Sequence, residues 1–115
     1  FTYYEYMARA TLTDLELMIL LAVLRIGDEA YGVPIAEELR QTAGRDVALA
    51  VVYHTLDRLE RQRLVASTLG LPSAERGGRA KRYFRVTPLG MKQVRATERA
   101  LSALWRGIPG LRGLA

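Results

Sequence analysis

The stretch Arg76-Gly77-Gly78-Arg79-Ala80-Lys81-Arg82 puts four cations and a glycine pair directly before a short apolar strand, Tyr83-Phe84-Arg85-Val86. Upstream, Leu64 to Leu69 reads as a partner for a strand from Arg82 to Val86. The polar segment between them, with Pro72 and Gly77-Gly78, is hairpin chemistry. The hairpin follows closely on an amphipathic helix pattern that includes Tyr53-His54-Thr55-Leu56-Asp57-Arg58-Leu59. This sequence of elements restricts the chain to a small fold in which one helix and one cationic hairpin lie side by side.

Three more helices frame that unit. Thr13-Asp14-Leu15-Glu16 is a capping box, a Thr N-cap with Glu three residues on, and it opens a helix through about Ile26. That helix is apolar on nearly every side and belongs in the centre of the fold. Gly27-Asp28-Glu29 breaks it, and Tyr31-Gly32-Val33-Pro34 starts a second helix, with Pro34 near the first turn and Gly44 at the end. The third helix is expected from Val47 or Ala48 to Arg63. Leu49, Val52, Leu56 and Leu59 form its core stripe, and Ala50, Val51, His54, Thr55, Arg58 and Arg61 its opposite side. Helices two and three make a helix-turn-helix. Thr87-Pro88 then starts a last helix running to about Arg106 or Gly107. Its residues Val94, Leu101 and Ile108, with Thr97 and Leu104 between them, form a short heptad-like seam suited to a second subunit.

At 115 residues the chain supports one modest core. It has no cysteine, which removes disulfides and thiolate chemistry and favours a reducing compartment. The longest apolar run, Leu17 to Leu24, is far below the roughly 20 residues that span a bilayer. With no secretory signal, a cytoplasmic protein without a membrane partner is expected. Residues 1–11 hold four of the nine aromatics, Phe1, Tyr3, Tyr4 and Tyr6. The start at Phe1 leaves room for missing upstream residues and for a non-native beginning. As a native arm this segment is too apolar to be a free tail and would pack on something, a partner subunit for instance.

The net charge of +5 hides an asymmetry. Through Glu38 seven acids oppose Arg9 and Arg25, whereas from Leu39 onward fifteen Lys/Arg oppose five acids. Basic charge gathered in one part of a fold is the footprint of a polyanion binder. In a helix-turn-helix the start of the second helix enters the major groove. Here that end offers Ala50 and Val51 to thymine methyls and Thr55 to a base edge, with His54 beside them. Tyr53 and Arg58 are placed for phosphates, and Arg76, Arg79, Lys81 and Arg82 for the backbone or minor groove. His54 and Asp57 are three apart, but one histidine without cysteine makes a poor metal site, so neither metal nor cofactor is expected. No nucleophile–base pairing and no phosphate-binding glycine loop point to an enzyme.

Three stretches together resemble the PadR family of transcriptional regulators, in its short form with one C-terminal helix. They are Leu12-Thr13-Asp14-Leu15-Glu16-Leu17 with Tyr31-Gly32-Val33-Pro34-Ile35; Tyr53 to Glu60 with Leu64-Val65; and Gly78 to Gly90. The resemblance covers most of residues 12–106. It implies a mainly α winged helix-turn-helix with a two-stranded β wing and a C-terminal dimerisation helix. The expected division is an N-terminal arm (1–11), a DNA-binding domain (12–87), and a dimerisation helix with its tail (88–115). The implied function is that of a homodimeric repressor on a palindromic double-stranded operator, released by a small aromatic or cationic effector. Val94, Leu101, Leu104, Trp105 and Ile108 are the dimer and effector candidates, because two Trp105 rings across a two-fold axis would sandwich a flat molecule. The chain departs from the family pattern at Ala48, where Ser is favoured, at Val51, where a small hydroxyl residue is favoured, and at Arg63, where Gly is usual. The alternatives are a winged-helix protein-interaction module and a non-specific or RNA-binding basic domain.

Overall fold

The computed structural model describes residues 12–71 and 80–111. Within them the elements run α1 (Asp14–Ile26), α2 (Gly32–Ala43), α3 (Leu49–Arg61), β1 (Val65–Leu69), β2 (Arg82–Val86) and α4 (Pro88–Trp105). β1 and β2 pair antiparallel with Val65 opposite Val86 and Leu69 opposite Arg82. Phe84 N also donates to Ala30 O at 2.8 Å, which pins the hairpin to the loop between α1 and α2.

The helix starts follow their caps. The Thr13 side chain accepts from Glu16 N at 3.1 Å, and Glu16 Oε1 accepts from Thr13 N at 2.8 Å, closing the expected capping box. Thr87 accepts from Gly90 N at 3.0 Å while its hydroxyl donates to Arg63 O at 2.7 Å, so one side chain caps α4 and ties it to the turn before β1. α2 begins at Gly32, and Ile35 N makes the first bond back, to Tyr31 O. Pro34, which has no N–H, therefore sits among the leading positions where no helical hydrogen bond is made.

The core is one cluster in which Ile19, Leu20 and Val23 of α1, Ile35 and Leu39 of α2, Val52, Leu56 and Leu59 of α3, and Leu64, Val65 and Phe84 of the wing are all buried. Leu89 and Val94 of α4 pack against it from outside. Several sequence expectations are corrected here. α1 is not buried all round, because Leu21 and Leu24 are exposed. α3 begins at Leu49, and Leu49, at its first position, is 41% exposed. Val47 packs on the core in its place. α3 also stops at Arg61, since Arg63 has φ +65°. α4 ends at Trp105, which leaves Ile108 in the following turn rather than on a helical seam.

Arg63 explains one departure from the family pattern. A left-handed backbone brings the Cβ of a non-glycine residue close to its carbonyl, at a cost of roughly 1–2 kcal/mol. Two carbonyls are fixed beside it, with Leu64 N on Leu59 O at 2.9 Å and Thr87 N on Leu64 O at 3.0 Å, so the turn cannot relax. Gly90 is required for a different reason: a Cβ there would lie 2.1 Å from Leu64 O. Arg63→Gly is expected to raise stability by about 1 kcal/mol. Gly90→Ala should lower it by about 1–3 kcal/mol through overpacking. Urea unfolding followed by far-UV circular dichroism measures both.

Candidate nucleic-acid interface

α2 and α3 are joined by a short turn and present the face of α3 that starts with Ala50. Ala50, Val51 and His54 are exposed there, one beside the other along the first two turns. Ala48 is the N-cap and makes no side-chain cap bond, so neither it nor Asp46 covers the first N–H groups of α3. Thr55 does not share this face. It is 2% exposed, and its hydroxyl donates to Val51 O at 2.9 Å. The expectation that Thr55 reaches a base edge is therefore corrected. Position 55 falls one turn before Leu59 and next to Leu56, on the side of α3 that meets the core.

Tyr53 is half-buried and packs against the core. Its ring lies against the backbone of Gly32 so closely that a Cβ at Gly32 would come within 2.4 Å of the phenol. The start of α2 and the middle of α3 are thus locked together by a bare glycine and an aromatic ring. Lys81 Nζ sits 4.6 Å from the centre of the Tyr31 ring, and Tyr31 meets Tyr83 edge to face at 5.7 Å. The ammonium at the loop end of the wing is consequently held over the Tyr31 ring.

The remaining cations divide into two groups. Arg58 Nε donates to Glu16 Oε2 at 3.0 Å. The Glu16 side chain is only 7% exposed, and its other oxygen belongs to the α1 capping box. Arg82 is engaged by Asp57, Glu60 and Ser67. Two arginines assigned from the sequence to the DNA backbone are therefore ion-paired within the fold. Arg76 and Arg79 lie outside the described residues. Sequence reasoning missed the carboxylate side of this arrangement. Spacing singled out Asp57 only as a metal partner and Glu60 not at all, although a separation of three positions puts both on one side of α3. Ser67 holds the Glu60 carboxyl below its usual range by hydrogen bonding, an effect that burial partly offsets and Arg82 reinforces.

On α4 the candidate residues separate. Val94 is half-buried and packs on the protomer's own core. Leu101, Leu104, Trp105 and Ile108 are exposed, Leu104 at 72%. No helix of the described residues is long and apolar enough to cross a membrane.

A helix-turn-helix followed by a two-stranded wing defines a winged-helix transcriptional regulator, a DNA-binding class rather than an enzyme. The sequence model of the transcriptional regulator PadR-like family matches residues 20–96, and the chain belongs to that family. No curated protein sequence matches it. Among solved structures it resembles a PadR-like transcriptional regulator from Bacillus cereus, at 23% identity over 78% of this chain and 82% of that one, with a TM-score of 0.64. A transcriptional regulator from Clostridium thermocellum is similar at 22% identity, 78% and 84% coverage, and a TM-score of 0.65. A complex structure of hsRosR-S1 is similar at 25% identity, 88% and 82% coverage, and a TM-score of 0.65.

The pairing of Arg58 has a measurable consequence. Arg58→Ala leaves a nearly buried carboxylate oxygen of Glu16 without its partner, and stability should fall by about 1–3 kcal/mol. Thermal unfolding checks this, and Arg58→Ala/Glu16→Gln should recover part of the loss.

Proposed function

We propose that the chain is a homodimeric repressor that occupies a palindromic operator and is released by a small aromatic or cationic molecule. The observation that carries the dimer is the second half of α4, where Leu101, Leu104 and Trp105 stand exposed on a helix whose earlier residues, Leu89 and Val94, are already used by the core. Apolar side chains of this size on a terminal helix are best satisfied by the same helix of a second copy. Ile108 extends the patch beyond the helix end. In this arrangement residues 12–87 read DNA, and residues 88–115 pair the subunits while their first turns close the winged-helix core. The work is cytoplasmic, where the operator is.

On DNA, Ala50, Val51 and His54 face the major groove. Apolar contacts to thymine methyls and shape-dependent readout then supply much of the specificity, since Thr55 contributes no hydroxyl. Tyr53 and Lys81, both held in place by packing, meet phosphates together with Arg76 and Arg79 of the wing. Two Trp105 side chains brought near the two-fold axis form the effector site, which favours flat apolar or cationic ligands.

Fluorescence anisotropy tests the reading, with DNA from upstream of the chain's own gene against scrambled DNA over a salt series. Selective binding to half-sites roughly 34 Å apart is expected. The logarithmic salt slope should grow by roughly 0.9 for each phosphate neutralised. Weak, equal binding to both DNAs would favour the protein-interaction module instead. Leu101→Glu/Leu104→Glu should shift the sedimentation of the protein to that of a monomer and abolish operator selectivity, while the far-UV spectrum of the winged helix is kept.

A further inference from the structure

Arg82 lies at the junction of three elements. Its Nη1 donates to Asp57 Oδ1 at 2.9 Å, its Nη2 to Glu60, and its Nε to Ser67 Oγ at 3.2 Å. Ser67 in turn donates its hydroxyl to Glu60 Oε2 at 2.7 Å and its backbone N–H to the same oxygen at 3.2 Å. The guanidinium sits 4.8 Å from the centre of the Phe84 ring, and Phe84 is the cross-strand partner of Ser67. One fork thus joins two carboxylates of α3 to both strands of the wing.

The place of this junction matters. Toward α3, apolar packing holds the wing near its base, where Val65 and Phe84 are buried; farther out Tyr83 and Lys81 meet Tyr31 ahead of α2, and exposure increases along β1 to Thr68 and Leu69. A two-stranded ribbon has little rigidity of its own. The junction at Ser67 and Arg82 is the farthest side-chain attachment of the wing to α3 among the described residues. Its ion pairs are partly exposed and so add little to global stability. The planar fork, by contrast, spans two carboxylates and a hydroxyl at once and so fixes an orientation.

We propose that Arg82 is a positioning residue: through Asp57, Glu60 and Ser67 it sets the angle between wing and recognition helix, so that both engage one duplex in a single register. The proposal rests on the operator-binding reading. Simple electrostatics predicts the opposite behaviour. Neutralising Asp57 and Glu60 removes two negative charges per chain and frees an arginine, which should tighten binding to any DNA. If Arg82 positions the wing, the same change weakens operator binding.

The experiment uses the full chain as wild type, Asp57→Asn/Glu60→Gln, Arg82→Ala, Arg82→Lys, and the triple variant Asp57→Asn/Glu60→Gln/Arg82→Ala. Operator and scrambled DNA are titrated by anisotropy, and amide exchange is followed by mass spectrometry. The carboxylate double variant should bind operator roughly tenfold more weakly while its affinity for scrambled DNA is unchanged or higher. Operator binding as tight as wild type, or tighter, overturns the proposal. Arg82→Lys should resemble Arg82→Ala, because an ammonium cannot reproduce the fork. Retention of wild-type affinity by Arg82→Lys would make position 82 a simple phosphate contact. Adding Arg82→Ala to the carboxylate variant should cost nothing further, whereas an additive loss would place Arg82 on the DNA. Exchange at the Ser67 amide should quicken in every variant, with the midpoint of unfolding nearly constant. Should wild type select no operator, the DNA reading fails by itself, and exchange at Ser67 still decides: unchanged exchange overturns the tie as well.

Discussion

The orientation of α3 depends on its buried stripe, and most of the other features follow from it. Val52, Leu56 and Leu59 are fully buried among α1, α2 and the wing, and Thr55 joins them by turning its hydroxyl back to Val51 O. Burying three large aliphatic side chains contributes about 1.5–3 kcal/mol each. That is enough to fix which way α3 faces, and it leaves Ala50, Val51 and His54 on the outside. The proposed reading surface is therefore what remains once the core has been satisfied. Its small, mostly apolar character suits methyl contacts and shape more than hydrogen-bonded base recognition.

Charge is used locally in the same economical way. Among the described residues, the half of the chain richest in Lys and Arg does not form one free cationic surface. Arg58 compensates a nearly buried carboxylate, and Arg82 closes a network with Asp57, Glu60 and Ser67. Glu16 illustrates why such pairs arise. Its first oxygen completes the α1 capping box, and its second, in a site that excludes most water, needs a donor from the neighbouring helix. A basic residue beside a recognition helix can therefore owe its place to a carboxylate of its own chain. Counts of cations overstate the number available to phosphates.

The sequence made the elements readable where local rules and tertiary demands coincide. Both Thr caps, the Gly44 stop and the strand Arg82–Val86 stand where spacing placed them, because caps and turns are settled by residues within four positions. Leu49 and Thr55 went astray because helical spacing alone gives the stripe a width but not its centre. The true centre lies toward Thr55, which satisfies its own hydroxyl and so can be buried like an aliphatic residue. The pairing of Asp57 and Glu60 with Arg82 was out of reach for another reason. Contacts separated by more than twenty residues carry no periodic signal, and only the hairpin register brings Ser67 and Arg82 to the same side.

α4 joins the two levels of organisation. Its first turns are bound into the protomer: Thr87 caps it and grips Arg63 O, Gly90 lets it approach Leu64, and Leu89 and Val94 seal the core. The same rod continues to Trp105 with its apolar side chains uncovered. Because a helix of this length is stiff at each backbone bond, the direction of the exposed half is dictated by contacts made at the buried half. In the proposed dimer, the separation of the two α3 helices would then follow from the angle at which α4 leaves the core. A ligand lodged between Trp105 and its partner copy would act on that angle through the helix itself. The residues through which such a signal must enter the DNA-binding unit are Val94, Leu89 and Gly90. Gly90 meets Leu64 O, at the turn where α3 passes into the wing.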